Sequence, residues 1–242
     1  MPKGNCWDAD GFAERKDVYM SAKRRTPQCA YCVRGAGETV DHVPPKLLLA
    51  RPYPKNLLTV PSCRKCNASF QSNDEYTRFV VAVDLRTADQ PDAQSKMPAI
   101  MRSLQKPEAL GFARYLLSQM TDTTVLGPNG RPMAQAVEVD RTRLNATGER
   151  MVRGLFFIES GEPLPPSTKV RIAAKPGITH SNDAIQHFAR MYAACPDHRT
   201  KEIGDAFSYA VAFYPQCSVW FLLLYGHFAW LATIGGPGDA RA

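Results

Sequence analysis

An α+β fold in two parts is what this sequence predicts: a small cysteine-clamped segment over residues 1–86 and a larger mixed domain over residues 87–242. Three observations predict it. Two C-x-x-C pairs, Cys29/Cys32 and Cys63/Cys66, bracket about thirty residues of short strand-like and proline-broken chain. Helical stretches then alternate with turn signals, and the last third carries aromatic runs of strand type. Elements mixed in this way, without a regular β-α-β repeat, belong to the α+β class.

Asp10–Arg25 has helical composition and ends at Thr26-Pro27, where proline disfavours helix in the residue before it. Thr39-Val40 suits a strand, and Pro44, Pro45, Pro52 and Pro54 make the following stretch a loop. Asn56–Val60 is a second short apolar run. Ser62 is expected to cap a turn that carries Cys63 and Cys66. Ser72-Asn73-Asp74-Glu75 spells a capping box, so a helix is expected from there to about Leu85. Residues 87–121 read as helical, broken at Pro107 and Gly111. Gly127-Pro128-Asn129-Gly130 predicts a hairpin between Thr123–Leu126 and Met133–Val139. Helices are expected over Asp140–Glu159 and Ser181–Ala194, with loop over Pro163–Ser167. Phe207–Phe213 and Val219–Ile234 read as strands turning at Pro215-Gln216. Trp220, Phe221, Tyr225, Phe228 and Trp230 are assigned to the sheet core.

Of the 242 residues 44% are hydrophobic and 22% charged, which excludes global disorder. The net charge is +7. Residues 1–86 hold 14 Lys/Arg against nine Asp/Glu, so the positive field is concentrated in the cysteine-bearing part, where a polyanion would be drawn. Val219–Ile234 is too short for a membrane span and contains Gly226 and His227. The chain opens with no secretory signal, and seven cysteines is an odd number. A reducing, cytoplasmic setting is therefore expected, where paired cysteines bind metal.

Two C-x-x-C knuckles can complete a tetrahedral site, so Cys29, Cys32, Cys63 and Cys66 are expected to hold a structural zinc ion. Two reduced pairs buried in a core are the competing reading, and Arg64 and Lys65 between the second pair make that burial costly. Between His42 and Asn73 the chain has five basic residues, Lys46, Arg51, Lys55, Arg64 and Lys65, and no acid. They form a candidate nucleic-acid-binding surface.

Inside the cysteine bracket lies Val40-Asp41-His42-Val43-Pro44-Pro45, followed by Asn56-Leu57 and then Cys66-Asn67. This order resembles the HNH, or His-Me finger, endonuclease superfamily in its zinc-stabilised, endonuclease VII-like variety. The resemblance covers residues 29–86; residues 87–242 resemble no family. It implies a ββα-metal module and a metal-dependent endonuclease giving 5′-phosphate and 3′-hydroxyl ends, with DNA as the expected partner. His42 would be the general base, Asn56 would orient its ring, and Asp41 and Asn67 would hold a catalytic Mg²⁺ or Mn²⁺. The residue types suit that chemistry: a neutral imidazole can take a proton from water, and carboxylate and amide oxygens suit a hard cation.

Each fragment also has an ordinary reading, with Asp41-His42 as a turn pair and Asn56 and Asn67 as turn residues. Two alternatives therefore stand beside the nuclease: a non-catalytic zinc module that binds nucleic acid, and a zinc-stabilised protein-interaction domain. His180, His187, His198 and His227 have no catalytic spacing. Residues 87–242 are candidates for substrate selection, dimerisation or contact with a partner protein.

Overall fold

The computed structural model describes residues 27–84, 91, 95–122, 135–176 and 183–235. The helix expected over Asp10–Arg25, the turn at Gly127–Gly130 and His180 lie outside them.

The cysteine bracket folds as an antiparallel hairpin followed by helices. Strand β1, Thr39–Val43, pairs with β2, Leu58–Ser62, with Asp41 opposite Val60 and His42 opposite Thr59. Alternation decides the faces: Val40 is 60% exposed while Asp41 is 5% exposed. A 3-10 turn at Lys46–Leu48 interrupts the loop and buries Leu48. Helix α1, Arg64–Ser69, starts at Cys63, and α2, Gln71–Val83, follows directly. Two expected caps are corrected. Cys63, not Ser62, caps α1, because its Sγ accepts from the Cys66 N–H at 3.4 Å. Ser72 lies inside α2, since Phe70 takes a right-handed helical conformation and joins the two helices without a side-chain cap.

Helices α3, Met97–Leu104, and α4, Leu110–Ser118, come next, with Pro107 at the break between them. An antiparallel pair stands where the hairpin was expected, β3 being Met120–Asp122 and β4 Gln135–Val137, and Thr123–Leu126 lies outside the described residues. The 20-residue α5, Arg141–Ser160, is the organising element. Asp140 caps it by accepting from the N–H groups of Thr142 and Arg143, and Gly161 ends it in the left-handed conformation.

The rest is a five-stranded antiparallel sheet in the order β5-β9-β8-β7-β6. Its strands are β5 Val170–Pro176, β6 His198–Ile203, β7 Phe207–Tyr214, β8 Cys217–Leu224 and β9 Phe228–Gly235. β5 and β6 were not expected. Both are edge strands, and His-Arg-Thr-Lys-Glu-Ile in β6 has the charged character that protects an open edge and hides a strand from hydrophobic patterning. Helix α5 packs on one face of the sheet. Helix α6, Asp183–Ala194, covers part of the other through Phe188, Met191 and Tyr192.

One hydrophobic core runs from Cys29 to Ile234, across the boundary expected at residue 86. Helix α5 makes this possible by touching both sides at close range. A Cβ on Gly148 would meet Trp230 at 2.3 Å, and a Cβ on Gly154 would meet the Val43 side chain at 2.7 Å. The Trp230 indole N–H donates to the Leu144 carbonyl at 2.9 Å, tying β9 to α5.

Candidate functional site

The four cysteines are brought together as expected. Cys29 and Cys32 sit on a tight turn in which the Cys29 N–H donates to the Gly35 carbonyl at 2.9 Å. The Ala30 N–H donates to Pro61 and pins that turn to β2. The turn forces Val33 to φ 63°, a left-handed conformation that β-branched residues rarely adopt. A Cβ on Gly35 would lie 2.8 Å from the Cβ of Cys63, so only glycine lets the two knuckles approach. All four Sγ atoms lie within 4.8 Å of one another, and Cys32 and Cys63 are 3.8 Å apart. A tetrahedral ion bound at about 2.3 Å separates its sulfurs by about 3.8 Å, so the cage fits a metal ion such as zinc. The electrostatics point the same way. Burial works against the Cys32 thiolate, yet the backbone N–H groups of Gly35 and Arg34 hold its pKa down to about 7. Burial and the neighbouring sulfurs push the Cys66 thiol up: four thiolates at this range repel unless a cation sits among them.

Asp41 is a correction. Its side chain faces the core, where Arg150 of α5 grips both carboxylate oxygens, through Nε at 2.9 Å and through a second short contact. The Tyr31 hydroxyl, from between the first two cysteines, adds a hydrogen bond at 2.5 Å. Arg150 also pairs with Asp74 of α2, whose other oxygen accepts from the Thr147 hydroxyl at 3.4 Å. The ring of Phe70 lies 4.5 Å from the guanidinium carbon. An organic cation thus stands on the carboxylate that was expected to hold a divalent one.

His42 lies on the opposite face of β1 from Asp41, half-buried. Partial burial and the nearby Lys46 ammonium lower its pKa, against the pull of Asp41, so the ring is neutral at pH 7. Asn56 is also corrected. Its amide donates to the Glu202 carbonyl at 2.8 Å and accepts from the Gly204 N–H at 3.2 Å, so it clamps the loop to the β6–β7 turn and does not orient His42. Asn67, on α1, donates to the Thr39 hydroxyl at 3.2 Å, which in turn donates to the Ser62 carbonyl. Thr39 shares the inward face with Asp41 but is two residues, roughly 7 Å, away along the strand. These contacts do not gather Asp41, His42, Asn56 and Asn67 around one ion.

The five basic residues are all exposed. Lys46 and Arg51 converge on Tyr53, with the Lys46 Nζ 5.3 Å and the Arg51 guanidinium 5.4 Å from the ring centroid. Arg64 is partly neutralised by Glu38 at 3.1 Å. Lys55 and Lys65 also face solvent.

Arg150 and Tyr31 escaped the sequence reading. The one signal for Arg150 was its place beside Thr147, Met151 and Gly154 on the buried side of an otherwise apolar helix stripe. No family model matches the sequence, and no curated protein or solved structure proved similar to it.

Proposed function

We propose that this chain is a zinc-clamped nucleic-acid-binding protein of HNH-like layout, acting without a catalytic divalent cation at Asp41. The observation that carries the reading is the Lys46–Tyr53–Arg51 group next to His42, on a loop pinned at one end by the hairpin and at the other by Asn56. Two cations beside a half-exposed aromatic ring suit a phosphodiester backbone, where charge supplies affinity and the ring offers a stacking face. The structural zinc stiffens the hairpin that presents this edge, and DNA is the polyanion we assign to it.

The test is binding of a fluorescent duplex in chelator-free buffer without Mg²⁺, at several salt concentrations. Wild type binds with a log–log salt slope of about −2 to −4, as expected for two to four phosphate contacts. Lys46→Ala/Arg51→Ala weakens binding about tenfold or more and flattens the slope. Equal affinity of the two proteins would remove the assigned surface.

A second reading, endonuclease, is favoured by one observation: His42 is only half-buried, and burial together with Lys46 lowers its pKa, which favours the neutral ring a general base needs. Plasmid cleavage in Mg²⁺ or Mn²⁺ that is lost in His42→Ala would replace the binding reading with this one.

A further inference from the structure

The β1–β2 hairpin turns one face to the core and the other to solvent. Asp41, Val43 and Val60 point inward and are buried. Val40, His42, Thr59 and Pro61 make the outward row, with Val40 opposite Pro61 and His42 opposite Thr59. Thr59 is exposed like Val40, and none of the four is acidic. A single exposed valine means little by itself. Its setting gives it meaning, because exposed cations stand at both ends of the ribbon. Lys46, Arg51 and Lys55 lie on the loop that joins Val43 to Leu58, and Arg64 and Lys65 open α1 just beyond Ser62. A two-stranded ribbon fits the major groove of duplex DNA, which is about 12 Å wide, and not the minor groove, which is about 6 Å wide. Phosphates border that groove on both sides, so cations beyond either end of a seated ribbon meet them.

We infer that the outward face of this hairpin seats in the major groove of duplex DNA, with Val40 against thymine methyl groups and the Thr59 hydroxyl at base edges. The inference rests on the nucleic-acid reading above and deepens it by naming the groove and the residues that meet the bases. Thymine alone among the four bases shows a methyl group in the major groove, and an aliphatic side chain is the partner that buries it. A threonine hydroxyl both donates and accepts, so it suits the mixed edges of the neighbouring bases. The loop cations hold phosphates and carry no sequence information. Affinity and base preference thus fall to different residues, and each can be removed without the other.

In the test, the full chain is titrated onto two fluorescent AT-rich duplexes of one sequence, the second with uracil in place of thymine. That exchange takes only the 5-methyl groups from the major groove. Wild type should bind the thymine duplex about three- to fivefold more tightly for each methyl group it covers. Val40→Ala should lose that preference while melting close to wild type, since the side chain it shortens faces water. Lys46→Ala/Arg51→Ala should weaken binding to both duplexes and keep the preference. Wild-type binding with no thymine preference, or a preference that survives in Val40→Ala, overturns the groove assignment and leaves the nucleic-acid reading standing. Failure of wild type to bind either duplex removes that reading and this inference with it.

Discussion

Arg150 carries more structural consequence than any other single charged residue described, because its partners lie 109 and 76 positions away along the chain. Burial alone would weaken its positive charge, but Asp74 and Asp41 hold it protonated. The surplus charge falls on Asp74, which faces Arg150 and Thr147 from α5 and Asp41 from β1. An acid raised from 3.8 to about 6 on folding binds a proton in the folded state that the unfolded chain releases. Its contribution is therefore favourable at acid pH and is lost as pH rises through about 6, by on the order of 2–3 kcal/mol. Wild type should gain stability relative to Asp74→Asn when pH falls from 7 to about 5, measured by urea unfolding; parallel pH curves for the two proteins would contradict the raised carboxyl. The four-cysteine cluster was legible at this scale because cysteine spacing within each pair is local. The Asp41–Arg150 pair was not, because nothing near either residue announces the other. Alternation along β1 did separate the Asp41 and His42 side chains, and that rule outweighed the motif.

Helix α5 works as a wedge, and its glycines set how closely it enters. Gly154→Ala should gain about 1 kcal/mol of helix propensity but place a methyl group 2.7 Å from Val43 and 3.3 Å from the Tyr31 hydroxyl. Overpacking of that kind costs about 1–3 kcal/mol, so the expected net is destabilisation by about 1–2 kcal/mol. Gly111→Ala in α4, where a Cβ meets nothing within 4 Å, should instead stabilise by up to about 1 kcal/mol. Denaturant midpoints of the two variants moving in the same direction would show that the close approach does not decide the outcome. The helices α5 and α6 and the strands β7 to β9 were readable because apolar period and turn residues agree there. The edge strands β5 and β6 were not, since an edge strand has a neighbour on one side only and carries charged residues that interrupt the apolar pattern. The start of α2 was misplaced because a capping-box sequence sits inside a helix that begins at a helix–helix junction.

As a whole, the molecule joins its cysteine knuckles to a sheet through one core, so local damage has a predictable reach. Stripping the metal that we propose the four cysteines hold, with a strong chelator, should loosen β1, β2 and α1 first, where the cysteines gather short segments together. Native-state hydrogen exchange should show protection falling about tenfold or more in the hairpin while β7, β8 and β9 keep theirs. A uniform fall across the sheet would mean that the metal governs global stability. The two-part organisation expected from composition missed this continuity, because a core shared across distant segments leaves no mark on either segment alone.

The Asn56 clamp carries a further meaning. The loop bearing Lys46, Arg51 and Tyr53 takes its shape from a turn nearly 150 residues downstream, and Tyr225 holds it again by donating to the Leu48 carbonyl at 2.8 Å. A short excised fragment ending near residue 84 would retain all four clustered cysteines yet present that loop without its scaffold. Transplanting the cysteine bracket into another protein would thus transfer the four-thiol cage and leave the proposed binding surface behind.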